Sequence, residues 1–280
     1  MWEGKDVSKI FEINRFFSAF EDIYESDFSF FGEAHNFWEL LYIIRGNVVV
    51  SADDRVYSLK QGDVIFHKPM EFHKFHGDGK EKFHVFVMSF NCENEQMKAF
   101  ENSVLHLTEE QKKHMEDLLC FARSNKKNTL GYDGYMECFS KDLYFSQTFS
   151  NLVELFLISC VKELKKISTE INTSKTQIYK TAVRILENNV TNNISIPELA
   201  KKCNVSVSYL KNIFSEFTGG GVHKFFLNQK ITHACSLLEK GMSVGEVADI
   251  LSYSGQNYFS LVFKREMGIS PTEYKKRIRG

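Results

Sequence analysis

Tyr209-Leu210-Lys211-Asn212-Ile213-Phe214 is echoed forty-nine residues later by Tyr258-Phe259-Ser260-Leu261-Val262-Phe263. Each copy runs on to a glycine at matching distance, Gly219 and Gly268. Ahead of each lies a short stripe at the i, i+3, i+4, i+7 spacing of one helical face. The first stripe is Ile196, Leu199, Ala200 and Cys203; the second is Val244, Val247, Ala248 and Leu251. Ser195 or Ile196 opens the first short helix, with Pro197 in its first turn, where a missing N–H costs nothing. Ser243 opens its counterpart. Asn204 and Ser252-Tyr253 take the turns, and Ser206 and Ser254 are the expected caps of the helices that follow. Two helices joined by a tight turn form a unit whose second helix can enter a DNA major groove.

The matching residues extend past these units. They include Ile196-Pro-Glu-Leu-Ala200, Ser206-x-x-Tyr209-Leu210, Ala234-x-x-Leu237-Leu238, Val247-Ala248, Asn257-Tyr258-Phe259-Ser260, Phe263-Lys264 and Gly268-Ile-Ser-Pro271. In order and spacing this tail resembles the two-headed DNA-binding domain of the AraC/XylS family of bacterial transcription regulators. The resemblance implies helix-turn-helix units at about 196–217 and 244–267, joined by a linking helix at 222–239. Leu210, Ile213, Phe214 and Phe217, and later Phe259, Val262 and Phe263, are then the inward faces of the reading helices. Left for bases are Ser208, Lys211 and Asn212 on the first helix, and Gln256, Asn257, Ser260 and Leu261 on the second. Ser206, Lys264 and Arg265 are the expected phosphate contacts. The sequence departs from the family at Leu261, where Arg is common, at Gly220-Gly221, where a capping Ser is common, and at Ser252, where Gly is common.

Residues 1 to about 34 are rich in Phe without a clear period, and arm, strand and helix all stay open. From Phe37 the pattern is of short strands. Leu40–Ile44 and Val48–Val50 flank a hairpin-like Arg45-Gly46-Asn47, and Gln61-Gly62-Asp63 turns before Val64–His67. Strands this short suggest a small barrel or jelly roll. His35-x-x-x-Glu39, Gly46, Gly62-Asp63 and Pro69-x-x-x-His73 resemble a cupin barrel of the kind that precedes this DNA-binding domain in many family members. Metal-binding cupins carry His-x-His before the Glu, and the second of those positions here is Phe37. His35, Glu39 and His73 therefore remain as a three-ligand set that a divalent metal could use, read instead as leftovers of the barrel's ancestry or polar groups lining a pocket, with no resident metal. Trp38, Tyr42 and Phe66, with Phe72 and Phe75, either line an effector pocket with them or fill the barrel. His67, His76 and His84 read as surface or strand residues.

Thr108-Glu-Glu-Gln111 fits a capping box, followed by a helical face of Met115, Leu118, Leu119 and Ala122. After a polar loop at 125–134, a second helical stretch carries Leu152, Leu155, Phe156 and Ser159 on one side. These stripes pack on the barrel or form a dimer interface. The polar run 168–177 is the expected connector, after which Ile178, Ala182, Ile185 and Leu186 face inward. The organisation is thus α+β and multidomain: a cupin-like barrel at 1–107, helices at 108–167, and an all-α DNA-binding domain at 178–280.

The formal charge of the whole chain is −1, but Ser174 to Gly280 holds 15 Lys+Arg against 8 Asp+Glu. A tail near +7 on an acidic partner is the footprint of a nucleic-acid binder. The 6 cysteines show no C-x-x-C pattern, so neither a metal finger nor a disulfide framework follows. The N-terminus lacks a signal-peptide core, and no apolar run is long enough to span a bilayer. A cytoplasmic homodimeric regulator is expected, bound to double-stranded promoter DNA, with RNA polymerase as a partner by resemblance and a small-molecule effector. No catalytic residue and no cofactor are expected. The alternatives are a cupin-type metalloenzyme with a DNA-binding appendage, and a regulator without an effector.

Overall fold

The computed structural model describes Lys5 and residues 8–30, 32–125 and 135–277. Two compact units divide chiefly between Glu170 and Ile171, with the short segments Phe31–Ala34 and Asp53–Val56 grouped with the second. In the first, β1 (Arg15–Tyr24), β2 (Trp38–Arg45), β3 (Asn47–Ala52), β4 (Arg55–Lys60), β5 (Asp63–His67), β6 (His73–Gly77), β7 (Phe83–Asn91) and β8 (Val104–His106) lead into helices α1 (Glu109–Asn125), α2 (Met136–Lys141) and α3 (Leu143–Lys162), then β9 (Lys166–Ile167). The strands make a six-stranded sheet in the order β1-β7-β2-β5-β8-β9 and a three-stranded sheet in the order β4-β3-β6. The open N-terminal stretch is resolved in favour of a strand, because β1 pairs antiparallel with the apolar β7.

The expected hairpin at Arg45-Gly46-Asn47 is instead a corner between the two sheets. β2 pairs with β5 and β7, while β3 pairs with β6. Gly46 makes the corner at φ +82, and a Cβ there would stand 2.8 Å from the Lys82 carbonyl oxygen and 2.9 Å from Phe83 Cβ. Only glycine fits both the backbone angle and the space.

Alternation along the strands builds two cores. Trp38, Leu40, Tyr42 and Phe66 face Met115, Leu118, Phe149 and Phe156 of the helices. Leu41, Ile43, Val50, Ile65, Phe75 and Val87 fill the space between the sheets. The α1 stripe Met115, Leu118, Leu119, Ala122 is buried as its period requires, and Thr108 and Gln111 form the reciprocal cap. In α3, Phe156 and Ser159 are buried, but Leu155 is 44% exposed. It belongs to the opposite stripe with Tyr144 and Ile158, at i, i+11 and i+14 of the same helix. Of the expected 125–134 loop, Asn125 ends α1 and the remainder lies outside the described residues.

The second unit consists of α4 (Ser174–Asn188), α5 (Ile196–Lys202), α6 (Val207–Thr218), α7 (Val222–Glu239), α8 (Val244–Ile250), α9 (Gln256–Met267) and α10 (Pro271–Arg277). Helix α4 takes Ser174 to Gln177 from the expected connector, because Thr173 and Thr176 cap each other's backbone N–H. The core of the unit gathers Tyr179, Phe214, Phe217 and Phe225 around one end and Phe259, Phe263 and Tyr274 around the other. Burying a Phe or Leu side chain contributes about 1.5–3 kcal/mol. The two aromatic clusters therefore hold both ends of α7 in place.

Candidate DNA-reading helices and the polar cluster of the barrel

Each short helix of the repeat starts on a two-way cap. Ser195 accepts from the Glu198 N–H while Glu198 accepts from the Ser195 N–H, and Ser243 and Glu246 repeat the arrangement. The turns then reverse the chain on left-handed residues, Asn204 at φ 54 and Ser252 at φ 56. Ser206 caps α6 by accepting from the Tyr209 N–H at 3.1 Å. The second copy differs: Ser254 is not the cap. Gly255 occupies that position, with no side-chain hydrogen bond, so the first N–H groups of α9 are left open. Both reading helices end on a left-handed glycine, Gly219 and Gly268.

Leu210, Ile213, Phe214 and Phe217 are buried on α6, and Phe259, Val262 and Phe263 on α9. On the other side Ser208, Lys211 and Asn212 are exposed, as are Gln256, Asn257 and Leu261. Leu261 is 70% exposed, an unusual place for a leucine. Ser260 is only half-exposed, one step round the helix toward the core. Ser206, Lys264 and Arg265 stand in solvent, and Arg265 Nε pairs with Glu266 at 2.7 Å.

A clasp that no pattern in the sequence announced joins the two heads. Lys230 on α7 is buried, and its ammonium donates to the Leu251 carbonyl at 2.9 Å and to Asn193 Oδ1 at 3.0 Å. It also lies 5.3 Å and 5.5 Å from the ring centres of Phe226 and Tyr253. Burial pushes its pKa down from the usual lysine range. Beside it Ser252 Oγ donates to the Thr191 carbonyl at 2.6 Å. The turn of the second head is thereby tied to the loop ahead of the first. That hydrogen bond gives Ser252 a role glycine could not fill, in return for its left-handed backbone.

In the first unit the cross-strand register sets four buried polar residues in a row: Ser18 on β1, Ser89 on β7, Glu39 on β2 and His67 on β5. Ser89 donates to Glu39 Oε2 at 2.7 Å, and Ser18 Oγ lies 2.7 Å from Ser89 Oγ. Because the Ser89 proton is committed to the carboxylate, Ser18 is the donor of the second bond. His35 and His73 close on the same carboxylate, with Nε2 at 3.4 Å from Oε2 and 3.2 Å from Oε1 respectively. Burial alone would raise the Glu39 pKa, but His73 and His35 outweigh it and hold the carboxyl well below its usual range. His67, expected at the surface or on a strand, is a buried residue of β5; it stacks on His73 at 4.3 Å and bonds Glu71 Oε2 through Nδ1 at 2.8 Å. Burial, then the charge of His73, pushes the His67 pKa down.

The expected effector pocket is therefore divided. His35, Glu39 and His73 come together, but Trp38, Tyr42 and Phe66 belong to the helix-facing core. A side-chain period of two sends Trp38 and Glu39 to opposite faces of β2. Phe37, at the position of the missing ligand, stacks on the His35 ring at 3.9 Å and 11°, and Phe17 stacks on Phe37 in turn. Glu71, Ser18 and Ser89 escaped sequence reasoning because no spacing along one strand contains them.

Comparison with known proteins matches residues 19–103 to the AraC-like ligand binding domain and residues 199–277 to a helix-turn-helix domain. The chain is 22% identical over 246 residues to the HTH-type transcriptional regulator YfiF of Bacillus subtilis, covering 85% of this chain and 76% of that one. It is 32% identical over 115 residues to the HTH-type transcriptional regulator in the cgkA 5′ region of Pseudoalteromonas carrageenovora, covering 41% of this chain and 67% of the relative. It is 20% identical over 256 residues to the HTH-type transcriptional activator RhaR of Mannheimia succiniciproducens, covering 87% and 86%.

Proposed function

The chain belongs to the AraC/XylS family of transcription regulators, and on that premise we propose that it is a sequence-specific, effector-responsive activator that binds promoter DNA as a homodimer in the cytoplasm. The observation that carries this reading is the pair of reading helices. Each buries one apolar face and presents a polar one, and a single helix of 18 residues, α7, fixes their separation. Gln256 and Asn257 can each bond adenine through two groups, Lys211 favours guanine, and Leu261 suits a thymine methyl. Each well-formed bidentate contact is worth about 1–3 kcal/mol of discrimination. Ser206, Lys264 and Arg265 reach phosphate oxygens, which set register without reading sequence. The bare N-terminus of α9, capped by no side chain, adds N–H groups for a phosphate.

Activation follows the description of RhaR as an activator and implies contact with RNA polymerase. Dimerisation uses the exposed α3 stripe of Tyr144, Leu155 and Ile158, apolar side chains that stay exposed among the described residues. The test is a binding-site selection from random DNA followed by two variants. Asn257→Ala should lose preference at one base pair. Lys264→Ala should weaken all sequences alike and flatten the salt dependence by about one counterion. If both keep the wild-type sequence profile and salt slope, the contact assignments are wrong.

A further inference from the structure

Three large apolar side chains stand exposed among the described residues of the second unit: Tyr209, Tyr258 and Leu261. All three lie on the reading helices, within the first two turns of α6 or α9. Among the described residues α4, α5, α7, α8 and α10 add none. One exposed leucine on a protein surface is ordinary. Confinement of all such side chains to the two helices that face DNA is not.

Helical geometry places them. At about 3.6 residues per turn, the buried Phe259, Val262 and Phe263 define one side of α9 and put Asn257 and Leu261 in line at the middle of the other. Leu261 is 70% exposed and Tyr258 is 56% exposed. They are three residues apart, so their Cβ atoms are neighbours at about 5–6 Å on the helix surface. The Tyr258 ring leans on Tyr253 at 6.1 Å and 57°, and Tyr253 packs on the buried Phe259 at 5.2 Å. Tyr258 is therefore backed by the core of the unit.

The repeat shows what differs between the heads. An offset of forty-nine sets Tyr209 against Tyr258 and Asn212 against Leu261. Where the first head presents an amide, which both donates and accepts, the second presents a branched hydrocarbon, which does neither. Of the four base edges in the major groove, only that of thymine carries a methyl group. Any other edge under Leu261 loses water from a donor or acceptor and gains no hydrogen bond in return. Leucine at this position therefore favours thymine and also penalises the other bases.

We infer that the second head reads thymine through its methyl group, with Leu261 as the contact and Tyr258 as the wall that keeps water from it. Asn257, one turn earlier, bonds adenine through two groups, so the second box combines adenine and thymine. At the corresponding position the first head reads a hydrogen-bonding edge through Asn212. The two boxes then differ in sequence, and the site has a direction. This inference rests on the DNA-binding reading above and deepens it.

The experiment starts from a site that the full-length protein selects from random DNA. Each thymine is replaced in turn by deoxyuridine, which removes the methyl and keeps the base pair and the O4 acceptor. At one or two positions the affinity of wild type should fall about fourfold, the factor that one buried methyl-sized group contributes. At those positions Leu261→Ala should bind thymine and deoxyuridine alike, and Tyr258→Ala should shrink the ratio without abolishing it. Leu261→Arg should exchange the preference for thymine there for guanine, which Arg meets through O6 and N7. Asn212→Ala should weaken binding yet leave the deoxyuridine ratios as they are. Each ratio compares two DNAs on one protein, so a general loss of affinity cancels. Both α9 side chains are exposed, and thermal melting without DNA checks that the variants fold. A selected site in which no deoxyuridine weakens binding, or the same pattern of losses in wild type and Leu261→Ala, overturns this inference and leaves the regulator reading standing. Failure to select any sequence overturns the regulator reading and this inference with it.

Discussion

Lys230→Met is the substitution that most sharply probes the joint between the two DNA-reading heads. Methionine keeps the apolar stem against Phe226 and Tyr253 and removes only the ammonium. The bond to Asn193 is at the edge of the protein, where water can replace the lost donor, but the bond to the Leu251 carbonyl is buried. A buried carbonyl without a donor costs about 1–3 kcal/mol, and two cation–π contacts add roughly 0.5–1 kcal/mol each. Against this stands the relief of a desolvated cation, the same burial that lowers the Lys230 pKa. The balance is a loss of about 2 kcal/mol, near a thirtyfold shift in the unfolding equilibrium of the tail. Both tryptophans, Trp2 and Trp38, precede the tail, so indole fluorescence does not report its unfolding. Amide hydrogen exchange read peptide by peptide does. Amides of α7 and α8 should exchange about thirtyfold faster in the variant while those of β2 and β7 stay as they were. Affinity for a DNA site with both boxes should fall more than affinity for a single box, because the second head is no longer presented in register. Unchanged exchange in α7 and α8, with unchanged two-box affinity, would show that the buried ammonium does not brace the heads.

Three further outcomes follow from the first unit. Glu21 is bound by Arg123, Tyr135 and His84, and although burial alone would raise its pKa, the hydrogen bonds from His84, Arg123 and Tyr135 bring it from 4.5 down to about 2. A folded-state pKa below the unfolded one contributes stability that is complete above pH 4.5 and is lost as pH falls toward 2. Glu21→Gln should therefore cost about 1–2 kcal/mol at neutral pH, after discounting for the half-exposed Arg123, and the gap in urea midpoint should close on acidification. A gap equal at pH 7 and in acid contradicts this. Gly46→Ala should destabilise the barrel by about 2–4 kcal/mol through its left-handed angle and the clash with Lys82 and Phe83, read by Trp38 fluorescence in urea. Leu155→Glu, on the exposed α3 stripe, should leave melting unchanged and turn a dimer into a monomer in sedimentation; a dimer that persists removes α3 from the interface.

Much of the tail was legible because helices write their structure locally. The repeat of Tyr209–Phe214 at Tyr258–Phe263, the serines at 195, 206 and 243, and Asn204 in the turn each act within a few residues of themselves. The buried faces of α6 and α9 follow from period alone. The failures have the opposite character. Ser254 failed as the cap because the reading helices repeat at an offset of forty-nine, which sets Gly255, not Ser254, opposite Ser206. The connector lost Ser174 to Gln177 to a helix because Thr173 and Thr176 cap each other without the usual acidic partner. In the barrel, alternation marked the strands but not their sheets, so a corner at Gly46 looked like a hairpin. The row Ser18–Ser89–Glu39–His67 exists only across four strands, and its members are far apart in sequence. His35, Glu39 and His73 could be grouped by resemblance, but the carbonyls of Phe37 and Glu71 that face Nδ1 of the two histidines are placed only by the fold.

The central claim is that two heads on one stiff helix read neighbouring stretches of a single DNA face. Hydroxyl-radical footprinting on a site selected from random-sequence DNA tests it most directly. Two protected patches should appear, about one helical turn (roughly 10 base pairs) apart on the same face, and inserting about half a turn between the boxes should abolish binding. A single protected patch, or binding that survives the half-turn insertion, would contradict the account.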